Sequence, residues 1–257
     1  MTRTLPATPP DAIAEIVRET VILGEHTFLI DRPGGSDDLL KHPSVLAAFA
    51  ADEYLPYWAD LWPAARMLAK AVLAEPWEKL RTEGGGRRTE SDDLIPSSVL
   101  RPPPSVLEIG CGLGLPGIAA LARGLRVIFN DYDATAVRYA ADNARLNGFD
   151  KFTTLVFDWR DPPADLHVDA VLASDLTYEA RHVEPLVALV ERVLKPGGLC
   201  LWTDQDRPPA AALRAELGRL GWQVETKVAR AGEPGGQRYK GTLYRIRRPE
   251  LIREVVN

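Results

Sequence analysis

The chain is poor in the features that mark secreted, membrane-spanning or strongly basic proteins. Its 257 residues include two cysteines, Cys111 and Cys200, too few for a disulfide framework or a zinc site, and no metal is expected. No apolar run approaches the roughly 20 residues that a bilayer-spanning helix requires. The stretch from Met1 to Asp11 is rich in Pro and Thr and lacks the apolar centre of a signal peptide. Positive charge is not in excess: 31 Lys and Arg against 36 Asp and Glu leave a net charge of −5. That balance disfavours a surface built to neutralise many phosphates, and hence a nucleic-acid partner. The expectation is a soluble, cytoplasmic protein with no membrane partner.

What is present is organised around Ser105–Ala120, SVLEIGCGLGLPGIAA. A short apolar run (Val106, Leu107, Ile109) leads into Gly110, Gly112, Gly114 and Gly117, and then into a helical pattern. Glycines permit positive φ and let a ligand approach the main chain. The helix N-terminus that follows offers free N–H groups and the positive end of a dipole. Glu108 falls near the end of a strand expected to be buried on both faces. An unpaired carboxylate is costly there, so Glu108 is expected to meet a cationic or donor partner. A Gly-rich turn that binds nothing is the plain alternative.

Upstream, Asp11 reads as the cap of a short helix bearing Ile13, Ile16 and Val17. Thr20–Leu23 and Thr27–Ile30 read as a hairpin around Gly24-Glu25. Asp37 to Ala50 reads as helical, interrupted or restarted at Pro43. The segment Asp52–Leu73 crowds Tyr54, Tyr57, Trp58 and Trp62 around Pro56, mixed with Asp52, Glu53 and Asp60, before Pro63 opens an amphipathic helix. Any one of these rings is explained by packing. Rings and carboxylates together suit the wall of a site for a cationic substrate. Arg81–Pro104 is polar, Gly- and Pro-rich and aperiodic, a flexible insertion or linker.

From Ser105 the pattern alternates. Strand-like segments fall at 105–109, 126–130, 152–157, 168–174 and 198–203, and helix-like segments at 115–123, 134–147, 180–194 and 208–220. Asp133 is the expected N-cap, and Asn147-Gly148 the expected C-cap, of the second of these helices. Gln223–Val228 and Tyr239–Ile246 are two further strands with no helix between them. Repeated β-α units predict an α/β fold, a doubly wound and mostly parallel sheet with an antiparallel addition. The chain then divides into an N-terminal α+β extension (1–80), the insertion (81–104) and a core domain (105–257).

Gly112, Gly114 and Gly117 satisfy G-x-G-x-x-G, and Asp131 ends the next strand at about the distance expected of a ribose-binding acid. Alone this is a dinucleotide fingerprint, and the Asp carboxylate suits any adenosine-containing ligand. Glu108, just before the glycines, argues against a pyrophosphate, as does the late start of the domain. Glu108-Ile109-Gly110-Cys111-Gly112-Leu113-Gly114 followed by Asp131 resembles the seven-stranded, S-adenosylmethionine-dependent methyltransferases, over about residues 105–246. The resemblance implies a Rossmann-like, seven-stranded sheet and S-adenosyl-L-methionine as cofactor. It implies that Glu108, Gly110, Cys111, Gly112 and Gly114 surround the methionine end and that Asp131 holds the ribose. By the same likeness Asp158 reads the adenine amino group and Trp159 lies against the ring.

Two further segments narrow the likeness. Tyr57–Ala65, YWADLWPAA, is similar to the Trp-Pro stretch of methyltransferases that modify protein lysines, which implies that Trp62 lies close to the cofactor. Ser174-Asp175-Leu176-Thr177-Tyr178 matches the D-x-x-Y motif of that group, with Ser174 assigned to the cofactor side. The two segments together resemble the lysine methyltransferases of the electron-transfer flavoprotein β subunit and their bacterial relatives, from whose pattern the 81–104 insertion departs.

The implied reaction is N-methylation of a lysine side chain on a protein partner. Asp175 would orient the amine, as a carboxylate too exposed to be a good base, with Tyr178 shaping the pocket and Glu53, Tyr57 and Trp58 lining it. Loop capping by Asp175 and simple packing by Tyr178 are the plain alternatives. A small-molecule amine or other metabolite is the alternative acceptor. Nucleic-acid methylation, which favours a D-P-P-Y-like segment, ranks behind it, with an NAD-dependent oxidoreductase or a non-catalytic binding module.

Overall fold

The protein, as a computed structural model, is described over residues 15–53, 55–83, 102–232 and 237–249. Strands β1 (Ile16–Leu23) and β2 (His26–Pro33) form an antiparallel hairpin in register from Ile16↔Pro33 to Leu23↔His26. The turn residue Gly24 has φ 65°, a conformation that glycine adopts without steric cost. The expected helix is overturned at Ile16 and Val17, which are strand residues; Asp11 and Ile13 lie outside the described residues. Period two wins here because β2 is long enough to pair with all of β1, and Val21 and Leu23 then share the inward face.

Two helices follow, α1 (Ser36–Leu39) and α2 (Pro43–Asp52), divided at the proline as the sequence suggests. Pro43 suits the first helical position because its missing N–H has no intrahelical partner there. The His42 ring accepts the Ser44 N–H as the cap. A 3₁₀ turn (Tyr57–Ala59), α3 (Pro63–Ala74) and α4 (Trp77–Glu83) complete the region before the core strands. Tyr54, most of the 81–104 insertion and residues 233–236 lie outside the described residues.

The central sheet has seven strands: β3 (Ser105–Ile109), β4 (Arg126–Asp131), β5 (Thr153–Val156), β6 (Val168–Ser174), β7 (Leu194–Asp204), β8 (Gln223–Gly232) and β9 (Arg238–Arg247). Their spatial order is β5-β4-β3-β6-β7-β9-β8. The first five run parallel, while β9 is antiparallel to both β7 and β8. The intervening helices are α5 (Leu115–Ala122), α6 (Ala134–Leu146), α7 (Val183–Val193) and α8 (Ala210–Arg219). The segment 180–194 is a 3₁₀ turn (Ala180–His182) followed by α7, and Leu194 already belongs to β7.

Alternate residues of β3 serve two apolar layers. Val106 joins a cluster with Leu68 and Val72 of α3, Ile118 of α5 and Ala140 of α6. Leu107 and Ile109 join the other, with Leu186 and Val190 of α7 and Leu213 of α8. The N-terminal hairpin belongs to the first layer through Val21, Phe28 and Ile30. Two asparagine amides, Asn143 of α6 and Asn147 at its C-cap, tie it down. Asn147 exchanges hydrogen bonds with Leu29, accepting at 2.9 Å and donating at 2.7 Å, and Asn143 does the same with Asp31 at 2.8 and 3.0 Å. A primary amide matches a peptide's donor and acceptor, so α6 extends the pairing of β2 as a neighbouring strand would. Because β4 and β6 flank β3 on opposite sides, the strand order reverses at β3. A crevice opens there at the carboxyl ends, where sheets of this class bind ligands.

Candidate active site

The chain leaves β3 through Gly110, Gly112 and Gly114, with φ of 57°, 50° and 83°. The Cys111 N–H between them donates to the Asn130 carbonyl at 2.8 Å. Gly117 has a different role. A Cβ there would lie under 3.0 Å from both the Phe129 ring and the Glu108 carboxylate, so its bare Cα lets α5 settle onto β3 and β4. The Gly117 N–H donates to Glu108 Oε2 at 2.8 Å, and this is the donor partner that the buried glutamate required. Glu108 is 2% exposed, and burial pushes its carboxyl well above the ordinary range, against the opposing effect of that hydrogen bond. It is not among the residues that line the cavity to which the glycine loop contributes. Burial likewise raises the Cys111 thiol well above its usual value, with Asp131 and Glu108 adding to the effect.

The other predicted site residues, Glu53, Tyr57, Trp58, Trp62, Gly110, Cys111, Gly112, Gly114, Asp131, Asp158, Trp159, Ser174, Asp175 and Tyr178, line one cavity of about 560 Å³. Asp131, at the end of β4, accepts from the Gly112 N–H at 2.9 Å and the Asp133 N–H at 3.0 Å. Burial pushes its carboxyl up to about 6, further than those backbone bonds pull it down. Asp158, just beyond β5, is gripped by Arg160, with Nε to Oδ1 at 2.8 Å and Nη2 to Oδ2 at 2.6 Å. Beside it the Trp159 ring lies 5.3 Å from the His182 ring.

Trp58 is a wall residue that is also part of the core. It is 6% exposed, donates its indole N–H to Asp133 Oδ2 at 3.1 Å and packs 5.1 Å from the Tyr139 ring. Asp133 is the expected N-cap of α6, accepting from the Thr135 N–H at 2.6 Å. The aromatic segment is therefore pinned to the start of a core helix. Tyr57 sits edge-on to Tyr178 at 5.4 Å and to Trp62 at 6.2 Å, and Trp62 donates to the Tyr57 carbonyl at 2.7 Å. Glu53, at the end of α2 with φ 53°, reaches Arg181 across the mouth of the cavity.

Asp175 has φ 57°, and its N–H donates to the Thr203 carbonyl at 2.8 Å. It is buried, 7% exposed, which corrects the exposed placement expected from the sequence: β7 runs beside β6 and its following loop covers the carboxylate. That carboxylate accepts from Gln205 Nε2 at 2.6 Å and Arg207 Nη2 at 3.0 Å. Burial raises the neighbouring Tyr178 phenol far above its ordinary value. Sequence reasoning missed Arg160, His182, Gln205 and Arg207. Asp204-Gln205-Asp206-Arg207 has the look of any solvated turn after a strand, and only its apposition to β6 makes it part of the site.

S-adenosylmethionine combines a ribose diol, an adenine amino group and two cationic centres, and the wall offers matching chemistry. Asp131 and Asp158 are acceptors for hydroxyl and amino hydrogens. The glycine loop exposes main chain to the cavity, and ring faces stand where a cation or an aromatic base can rest. A seven-stranded, doubly wound sheet with such a crevice is the architecture of the class I, S-adenosylmethionine-dependent methyltransferases. Residues 58–212, more than half of the chain, match the lysine methyltransferase family. The protein belongs to that family.

Among curated proteins, the ribosomal protein L11 methyltransferase of Edwardsiella ictaluri is 38% identical over 96 residues, covering 37% of this chain and 31% of its own. The enzyme of the same name from Shewanella pealeana is 40% identical over 95 residues, with the same coverage of 37% and 31%. The chain thus spans about a third of the length of the curated relatives it matches. Among solved structures, a putative RNA methyltransferase from Pyrococcus horikoshii has the same fold. Its TM-score is 0.53 at 15% identity, covering 81% of this chain and 100% of the other.

Proposed function

We propose that the protein methylates a lysine side chain of a protein substrate in the cytoplasm. One observation carries this reading: the Asp175–Tyr178 motif and the Tyr57–Trp62 segment wall the same cavity as the glycine loop. The family match and the protein-directed names of the curated relatives support it. When bound, S-adenosylmethionine supplies a methyl group on a sulfonium; the C–S bond breaks as the N–C bond forms in line, and S-adenosylhomocysteine remains.

Asp131 would hold the ribose hydroxyls, Asp158 the adenine amino group, and Trp159 the face of the base. Gly110, Gly112 and Gly114 would give the methionine end access to main chain, with Trp62 and Ser174 on the same cavity wall. A lysine amine titrates near 10.4 in water, so it reacts only after giving up a proton, which leaves to water through the mouth. Asp175 accepts a hydrogen bond from the neutral amine and aims its lone pair at the methyl carbon. Tyr57 and Tyr178 close around the alkyl stem and keep bulk water from the reacting line.

The test is transfer of labelled methyl from S-adenosylmethionine into a cell extract, followed by mass spectrometry of the labelled products. Methylated lysine in a protein is the expected outcome; label confined to small amines or nucleic acid would overturn the assignment. Asp175→Asn is expected to lower turnover about a hundredfold, the scale of a misaligned reactant, while leaving S-adenosylhomocysteine affinity intact.

A further inference from the structure

We propose that Arg207 is a positioning residue for methyl transfer, acting through the Asp175 carboxylate; the inference rests on the role given to Asp175 above. A carboxylate has about four lone-pair sites. At Asp175, Oδ2 receives Gln205 Nε2 at 2.6 Å and Arg207 Nη2 at 3.0 Å, and Oδ1 receives Arg207 Nε at 3.2 Å. The remaining site, also on Oδ1, has only the Gln205 backbone N–H at 3.5 Å, at the limit of a hydrogen bond. This longest contact marks the acceptor site that an amine N–H would take over. A planar guanidinium binding both oxygens fixes the plane of the carboxylate, and fixing that plane sets the direction of the open site.

Arg207 is itself held from two sides. Its guanidinium carbon lies 5.9 Å from the centre of the Trp62 ring, a cation–π contact with the wall segment. Its backbone N–H donates to Asp204 Oδ1 at 2.7 Å, and Thr177 Oγ1 donates to the other oxygen of Asp204. The loop after β7 is thereby stapled to the motif after β6. The charged and titratable groups that act on Arg207 are Asp175, Asp204 and the Tyr57 phenol. The arginine side chain is 34% exposed, against 5% for Asp175, so it can be exchanged without opening the apolar core.

The experiment uses the full chain, labelled S-adenosylmethionine and, as acceptor, the most strongly labelled protein of a cell extract once purified. Wild type, Arg207→Gln, Arg207→Lys, Asp175→Asn and the Arg207→Gln/Asp175→Asn double variant are compared. Arg207→Gln is expected to lower kcat about tenfold to a hundredfold, the range set by loss of alignment. The acceptor KM and the Kd for S-adenosylhomocysteine should hardly move. Arg207→Lys should recover part of the rate, since it keeps the charge but not the fork. The double variant should be no slower than Asp175→Asn alone, because both changes act on one group.

Wild-type kcat in Arg207→Gln overturns the proposal. So does a raised acceptor KM at unchanged kcat, which makes Arg207 a direct contact, or a fully additive double variant. If Arg207→Gln does not fold by thermal melting, the same comparison is read from Arg207→Lys. Failure of the underlying reading looks different: either no protein is labelled, or Asp175→Asn keeps its full rate.

Discussion

Gly117→Ala isolates what the third glycine of the fingerprint is for. The added methyl would lie under 3.0 Å from the Phe129 ring and the Glu108 carboxylate, whereas carbon atoms in contact prefer about 3.5–4.0 Å. Neither neighbour has room to retreat, since Phe129 is 0% and Glu108 2% exposed on central strands. Overpacking of this kind costs about 1–3 kcal/mol. Displacing Glu108 from the Gly117 N–H adds about 1–3 kcal/mol for a buried group left without its bond. The helix preference for alanine returns about 1 kcal/mol. The net loss is about 1–5 kcal/mol, which at about 2–4 °C per kcal/mol for a chain of this size lowers Tm by about 2–20 °C.

Urea and thermal unfolding followed by circular dichroism measure this loss, and calorimetry with S-adenosylhomocysteine on the folded variant measures binding. Affinity should change little, because Gly117 is not part of the cavity wall. An unchanged or higher Tm would refute the packing argument. Unchanged stability with lost affinity would show that the glycine serves the ligand instead.

Three further outcomes are expected. Asp131 has its carboxyl raised from 3.8 to about 6, so the folded protein retains a proton there that the unfolded chain has lost. This contribution destabilises the free fold as pH rises from about 4 to about 6. In the ribose-binding role proposed for Asp131 the hydroxyls need the ionised form, so S-adenosylhomocysteine affinity should weaken as pH falls below about 6, by roughly tenfold per pH unit well below it. Affinity flat between pH 5 and 7.5, by calorimetry, would sink that role. Trp58→Phe removes the N–H bond to the buried Asp133 carboxylate and should cost about 1.5–3 kcal/mol in urea melts; a neutral result would mean that ring packing alone anchors the segment. Asn143→Ala breaks the amide pairing with Asp31 and the bond to the Leu113 carbonyl. Hydrogen exchange should then speed up at Asp31 and the glycine loop before it does in β3 or β7, and uniform exchange would contradict this.

The class of fold and the cofactor were legible in the sequence for local reasons. Glycines at 110, 112 and 114 are demanded by backbone conformation, and Asp131 ends its strand wherever that strand packs, so spacing along the chain reports them. Period two and period 3.6 marked the alternating elements of the core because each has to bury one face. At Ile16 and Val17 the local pattern misled, since the partner strand that decides their conformation lies further along the chain. The finer chemistry of the site lay outside sequence reach for the same reason. Arg207 and Gln205 stand about thirty positions from Asp175 and meet it only because β6 and β7 are neighbours. Asn143 reads as an ordinary helix residue and Asn147 as no more than a C-cap until β2 is laid against them. Glu108 illustrates both sides of the division. Its place on a central strand called for a partner, and the need was plain from burial alone. That the partner is the Gly117 N–H was decided by how closely α5 packs onto β3.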